Sequence, residues 1–162
     1  MALPQAKIDA TEARLATVAV PEGSGWLGAA RQDALSRLRA MGLPARRDEY
    51  WRFSPPDDFL QPEAQEAALF KPDEAPVYGE IDRVRLVFVD GVFDAEQSDA
   101  PDLAGVEISS LSEVGGADIH WARDLYGVLE ARGQDPVERP FAALNTATAT
   151  DGVLLRVTGK AD

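Results

Sequence analysis

Apolar residues near the start of the chain repeat at the three- and four-residue spacing of an amphipathic helix. Between Pro4 and Pro21 these positions are Ile8, Thr11, Leu15 and Val18. Since this spacing places them on one face, it predicts a first helix that ends before Pro21.

A second helix is predicted directly after the glycine-rich residues 21–25. Its apolar face comprises Trp26, Ala30, Ala34, Leu38 and Met41. Its opposite, charged face comprises Arg31, Asp33, Arg37 and Arg39. Gly42 favours a left-handed cap, and Pro44 prevents continuation of the helix. Residues 1–53 are therefore predicted to form a helical hairpin whose apolar stripes need a partner.

Residues 54–79 have a different composition. Prolines at positions 55, 56, 62, 72 and 76 interrupt a stretch rich in aspartate and glutamate. This pattern predicts an extended connector with one short helix near Glu63 to Leu69.

Residues 80–152 are predicted to form a small α/β subdomain that begins with β-sheet signals. The β-branched and bulky residues at 84–89 precede Asp90-Gly91, which favours a type I′ turn, and Val92-Phe93 resumes the pattern. These residues predict a β-hairpin. The alternation over Val106 to Ile108 predicts another strand.

A third helix is predicted in the same segment, with Asp118 as its cap and with Gly133 and Pro136 closing it. Its shared face comprises Trp121, Leu125, Val128 and Leu129. Pro140 then opens a short helical turn that extends through Leu144.

The last apolar segment, Val153 to Val157, is predicted to be a strand, and only five residues follow it. Because an apolar strand is rarely left uncovered, we expect the chain to be cut from a longer protein. The predicted class is α+β. An N-terminal helical region precedes a small antiparallel β element with a packed helix, and residues 153–162 start a further core.

Charge and composition narrow the possible functions. The net charge of −12 repels phosphate backbones and anionic lipid, so neither nucleic acid nor membrane is expected as a partner. The sequence has no cysteine, which removes disulfides, thiolate nucleophiles and thiolate ligands of iron–sulfur clusters. No apolar run is long enough to span a membrane, and the start does not resemble a secretory signal. These features indicate a cytoplasmic protein.

Few residues could carry catalysis. His120 is the only histidine, and a zinc site needs three or four clustered ligands. Asp48 and Glu49 form an adjacent acid pair, but the arginines at 46, 47 and 52 favour ionised carboxylates in surface salt bridges. Asp94 and Glu96 form a second acidic pair.

One glycine pattern matches a nucleotide-binding fingerprint in its spacing. Gly23, Gly25 and Gly28 occur in the sequence GSGWLG. A dinucleotide fingerprint must follow a buried strand, whereas this one follows a predicted helix. We therefore assign no catalytic, cofactor-binding or metal-binding residue.

Three segments form an ordered set of motifs. Residues 38–53 comprise the end of a helix, Gly-x-Pro and a basic-acidic-Trp-Arg-aromatic run. Phe88 to Asp94 follow the pattern Phe-Val-Asn/Asp-Gly-x-Phe, and residues 140–152 contain Phe-x-x-Leu-Asn-x-Ala followed by Asp-Gly. Together these segments resemble the SufB/SufD family of iron–sulfur cluster assembly proteins, in which the second motif is a hairpin of SufD members and the third is the entry into the core domain.

This resemblance implies a non-catalytic N-terminal region of a SufD-like scaffold. In the family, SufD pairs with SufB, and both contact the ATPase SufC. The family's fold continues as a right-handed parallel β-helix, of which Val153 to Val157 would be the first rung. The complex handles iron–sulfur clusters and is linked to a reduced flavin, and we assign neither to residues of this chain.

Two alternatives stay open at this point. An acidic interaction module would occupy the basic groove of a partner, and it requires one contiguous acidic face. A small carboxylate-dependent enzyme would use Asp48 with Glu49 or Asp94 with Glu96, and it requires these acids to converge in a deep pocket.

Overall fold

The computed structural model describes residues 3–63, 78–99, 103–132 and 137–160. Within these ranges the chain forms five α-helices and two two-stranded antiparallel sheets. The helices are α1 (Gln5–Thr17), α2 (Gly25–Met41), α3 (Leu111–Val114), α4 (Val128–Arg132) and α5 (Pro140–Thr148). The strands are β1 (Val87–Val89), β2 (Val92–Asp94), β3 (Val106–Ser110) and β4 (Val153–Val157). The predicted α+β class is confirmed.

The first two predicted helices are confirmed, and a polar contact holds them together. Gly42 ends α2 with a φ of 66°, a conformation that glycine adopts without steric cost. Its N–H donates to the Leu38 carbonyl at 2.8 Å. The Thr11 hydroxyl on α1 accepts the Leu43 N–H at 2.8 Å and donates to the Lys7 carbonyl at 2.6 Å. Thr11 therefore fixes α1 against the end of α2.

The apolar face of α2 packs against α5. Ala34 on α2 and Ala143 and Ala147 on α5 are all 0% exposed, so the two helices meet where their side chains are smallest. Leu38 and Leu144 belong to a buried cluster on the same interface. This packing joins residues that the sequence analysis assigned to different segments, 1–53 and 80–152.

Arg31 was wrongly predicted to lie on a charged outer face, since it is only 4% exposed. Its Nη2 donates to the Ala149 carbonyl at 2.6 Å, directly after α5, and its Nη1 donates to the Pro21 carbonyl at 3.4 Å. The last carbonyls of a helix lack partners within the helix and carry partial negative charge. The buried Arg31 guanidinium satisfies one such carbonyl, that of Ala149 at the end of α5. The pattern of apolar and charged positions in the sequence does not reveal this hydrogen bond.

The predicted hairpin is confirmed in its turn and its register. Asp90 and Gly91 both have positive φ, 49° and 78°, as a type I′ turn requires. Phe88 pairs with Phe93 across the two strands, and their rings meet edge-on with centroids 5.5 Å apart.

The predicted strands Val106–Ile108 and Val153–Val157 are also confirmed, and they pair with each other as β3 and β4. The pairing is antiparallel and places Ile108 opposite Leu155. The segment expected to start a parallel β-helix is therefore, within the described residues, the second strand of an antiparallel pair.

The third predicted helix is wrong in its cap and its continuity. His120 rather than Asp118 precedes the first turn, a 3₁₀ helix over Trp121–Asp124. Gly127, with a φ of 71°, separates this turn from α4, because a positive φ cannot continue a right-handed helix.

Two residues of the predicted shared face are largely exposed. Leu125 and Leu129, predicted to share a face with Trp121 and Val128, are 63% and 81% exposed. The short helix α3 was not predicted. The closing residues Gly133 and Pro136, and the helix predicted near Glu63 to Leu69 apart from its first residue, lie outside the described residues.

Candidate interaction surface

The first motif segment contacts α5. Trp51, within a 3₁₀ helix at Glu49–Trp51, meets the Phe141 ring edge-on with centroids 5.5 Å apart. Leu43, which is 1% exposed, belongs to the same cluster as Leu144. Trp51 thus anchors this segment on α5. Phe53, the aromatic residue that ends the motif, does not, because it is 89% exposed.

The hairpin also reaches the residues that follow α5. The Thr150 hydroxyl donates to the Gly91 carbonyl at the hairpin turn, at 2.5 Å. A Cβ at Gly91 would lie 2.7 Å from that hydroxyl oxygen, so the contact needs glycine for space as well as for backbone conformation.

Asp151 joins α3, β3 and β4 at one point. Its Oδ1 accepts the Ser112 N–H at 3.0 Å, the Ser110 hydroxyl at 2.7 Å and the Gly152 N–H at 2.8 Å. Burial alone would raise the pKa of Asp151, but these hydrogen bonds outweigh it and lower the pKa. The carboxylate thus caps α3 from a distant part of the sequence. The first and second motif segments therefore both contact the third, residues 140–152.

The first predicted acid pair does not form a catalytic site. Asp48 forms an ion pair with Lys7 at 2.8 Å and accepts the Ala45 N–H at 3.0 Å. Burial would raise the pKa of Asp48, but these two donors and the charge of Lys7 lower it. Its neighbour Glu49 is exposed. A carboxylate held in its ionised form by structural partners is poorly suited to donate a proton.

The second pair lies at the end of β2, with Asp94 as the last residue of the strand and Glu96 in the turn that follows it. Asp94 accepts the Gln97 side chain at 2.6 Å and the N–H groups of Gln97 and Glu96 at 3.1 and 3.0 Å. The Gln97 side-chain hydrogen bond and these backbone bonds lower the pKa of Asp94. Across the described parts of the chain, no three His, Asp or Glu side chains are grouped so that they could hold a metal ion.

His120 has structural partners. Its ring stacks on Trp26 with centroids 6.2 Å apart and planes 9° apart, and its Nδ1 accepts the Ala122 N–H at 3.2 Å. The side chain thereby caps the 3₁₀ helix and covers the cluster around Trp26.

The glycines of GSGWLG allow close backbone packing. Gly25 has a φ of 71°, and a Cβ there would lie within 3.0 Å of the carbonyls of residues 115–117. A Cβ at Gly28 would lie 2.2 Å from the Gly23 carbonyl. Since α1 precedes this loop rather than a buried strand, it lacks the context of a dinucleotide site.

One face of the β3–β4 sheet is apolar and open. Val153, Leu155 and Val157 are 46%, 55% and 61% exposed, and they alternate along β4, so they share a face. Leu154 points the other way and packs against the cluster around Trp26. An exposed apolar strip of this kind typically marks a surface that contacts another segment or protein. The sequence showed that β4 was apolar, but not which face stayed open.

Residues 16–162, and thus all three motif segments, match the family described as SufBD protein N-terminal region. The chain belongs to this family. Over 80 residues, 48% of the chain, it is 34% identical to the "Iron-sulfur cluster assembly protein SufD" of Escherichia coli (strain K12). The SufBD N-terminal chain spans about a fifth of that relative, with 19% of its length covered. No solved structure matches the chain.

The three motif segments thus have structural roles in this SufBD N-terminal region. They pack Trp51 on α5, set the hairpin turn and place the Asp151 cap. None of the helices in the described ranges is long and apolar enough to cross a membrane.

We expect Gly25→Ala to destabilise the chain by about 1–3 kcal/mol, because it forces a strained φ and a clash with carbonyl oxygens. Gly116→Ala is the matched control, since its Cβ would meet only the Ser24 hydroxyl, at 3.8 Å. Urea unfolding should show a change within about 0.5 kcal/mol for this control. Equal stability of the two variants would show that the close approach at Gly25 is not required.

We expect Asp151→Asn to lower the free energy of unfolding by about 1–2 kcal/mol at neutral pH, because the variant loses charge-assisted hydrogen bonds. The loss is modest because the residue is partly exposed and solvent weakens these bonds. The pKa of Asp151 is lower in the folded state. The carboxylate therefore contributes its full stabilisation above the pKa of an unfolded aspartate, about 3.9. This stabilisation is lost as the pH falls through the pKa of the folded state. Urea unfolding from neutral pH to about pH 3 should therefore show the difference from wild type shrinking.

Asp58→Asn serves as the control for this pH series, since Asp58 is exposed. Its free energy of unfolding should stay within about 0.5 kcal/mol of wild type. A gap between wild type and Asp151→Asn that is constant with pH would contradict the role of the charged carboxylate.

Proposed function

We propose that this chain is the non-catalytic N-terminal region of a SufD-like scaffold protein that acts in iron–sulfur cluster assembly. The match of residues 16–162 to the SufBD N-terminal family carries the proposal, and the similarity to the Escherichia coli protein supports it. The full-length protein would act in the cytoplasm together with SufB and SufC homologues.

The chemistry of the chain supports a structural role. The sequence has no cysteine, so it offers none of the thiolates that usually hold iron–sulfur clusters. Asp48 and Asp94 are engaged by donors in separate turns, whereas carboxylate catalysis needs acids that converge on a substrate. The cluster and any reduced flavin would therefore be handled by other parts of the full-length protein or by its partners.

The open face of β4 suggests how the region joins the rest of the protein. Leu155 and Val157 are exposed on this face, and β4 pairs only with β3 within the described residues. We propose that β4 leads into a parallel β-helix core and that later strands cover this end of the face. Because each side chain is already partly buried, covering the remainder would contribute about 1–2 kcal/mol each.

The proposal predicts that the full-length protein forms a complex with its SufB and SufC homologues. Co-expression with an affinity tag on the full-length protein, followed by size-exclusion chromatography, should yield one peak that contains all three chains. The 162-residue chain, purified separately, should show no enzymatic turnover of its own. Recovery of the full-length, folded protein without either partner would contradict the proposed function.

A further inference from the structure

A cleft of about 260 Å³ separates the β1–β2 hairpin from the β3–β4 sheet. Phe88 and Phe93, which face each other across the hairpin, line one side of it. Ile108 and Val153 line the opposite side. The cleft is therefore an apolar slot between two small sheets.

The frame of the slot is held by hydrogen bonds. The Ser98 hydroxyl accepts the Val87 N–H at 2.8 Å and so extends the hairpin pairing. The bond from Thr150 to the Gly91 carbonyl ties the turn to the segment before β4. Since these contacts hold the hairpin against the segment that precedes β4, the slot is formed before any ligand arrives, which lowers the entropic cost of binding.

Two carboxylates lie at the edge of the cleft. Among the residues that the structure describes, Asp99 and Glu113 both line the cleft, whereas no Lys or Arg does. Asp99 accepts the Arg85 N–H at 2.5 Å, which fixes its position. Glu113 is exposed on α3. With the net charge of −12, this edge attracts a positively charged group.

The size of the slot identifies the kind of occupant. Pockets for small-molecule ligands usually measure about 300–1,000 Å³, so this one suits a single large side chain better than a cofactor. We propose that the cleft binds an extended peptide segment in which an aromatic or large aliphatic residue is flanked by Lys or Arg. The apolar side chain fills the slot, and the basic neighbours contact Asp99 and Glu113. This activity of the chain's own surface does not depend on the assembly role proposed above.

The test is a titration of the ¹⁵N-labelled chain with three peptides, followed by backbone amide shifts. They are acetyl-Lys-Phe-Lys-amide, acetyl-Glu-Phe-Glu-amide and acetyl-Lys-Ala-Lys-amide. We expect the first to shift the amides of Phe88, Phe93 and Ile108 and to bind at least about fivefold tighter than the second, as two surface ion pairs imply. The preference should fade at high salt. The third peptide should not shift these amides.

Variants separate the two parts of the proposal. Asp99→Asn with Glu113→Gln should abolish the preference for the basic peptide and keep the shifts that phenylalanine causes. Asp58→Asn with Glu49→Gln, which changes two exposed acids far from the cleft in sequence, should leave the preference intact. Ala95→Leu adds bulk to a residue that lines the cleft and should remove the phenylalanine-dependent shifts without changing the amide spectrum elsewhere.

Several results would overturn the proposal. One is that the folded wild-type chain binds none of the peptides. Another is that the alanine peptide binds as well as the phenylalanine peptide, and a third is that the shifts map outside the cleft. Equal binding of the basic and acidic peptides would mean that the slot takes apolar groups regardless of flanking charge, and so would also contradict it.

Discussion

The packing of α2 on α5 is the contact on which the rest of the structure depends. It brings together residues more than a hundred positions apart, and it does so where Ala34, Ala143 and Ala147 are fully buried. Alanine side chains let helices approach closely, and any larger group at such a site forces a backbone shift or an unfavourable rotamer. Arg31 strengthens the same contact because its guanidinium binds the carbonyl of Ala149 at the end of α5.

The segment directly after α5 connects the packed helices to both β-sheets through hydrogen bonds. Thr150 holds the hairpin turn, Asp151 caps α3, and the Gly152 carbonyl accepts the Leu111 N–H at 2.8 Å. The residues that resemble the family are thus those that join the two helices to both sheets. The motifs therefore determine the shape of the chain, and this shape presents the acidic cleft and the open face of β4.

Local patterns predicted most elements, and long-range contacts account for several of the errors. The helical spacing before Met41, the Asp90-Gly91 turn and the apolar run in β4 each depend on near neighbours, so the sequence predicts them. Arg31 is buried because of a carbonyl far along the chain, which no local pattern reveals. The cleft was not predicted for the same reason, since its walls come from two sheets.

We infer that α2 and α5 form one cooperative unit that organises the chain. Native-state amide hydrogen exchange measures this cooperativity, because helices that unfold together share one free energy of opening. We predict that the slowest amides of α2 and α5 exchange with the same free energy, equal to that of global unfolding. If the slowest amides of α5 exchanged more than about tenfold faster than those of α2, a gap of about 1.4 kcal/mol, the two helices would not form one cooperative unit.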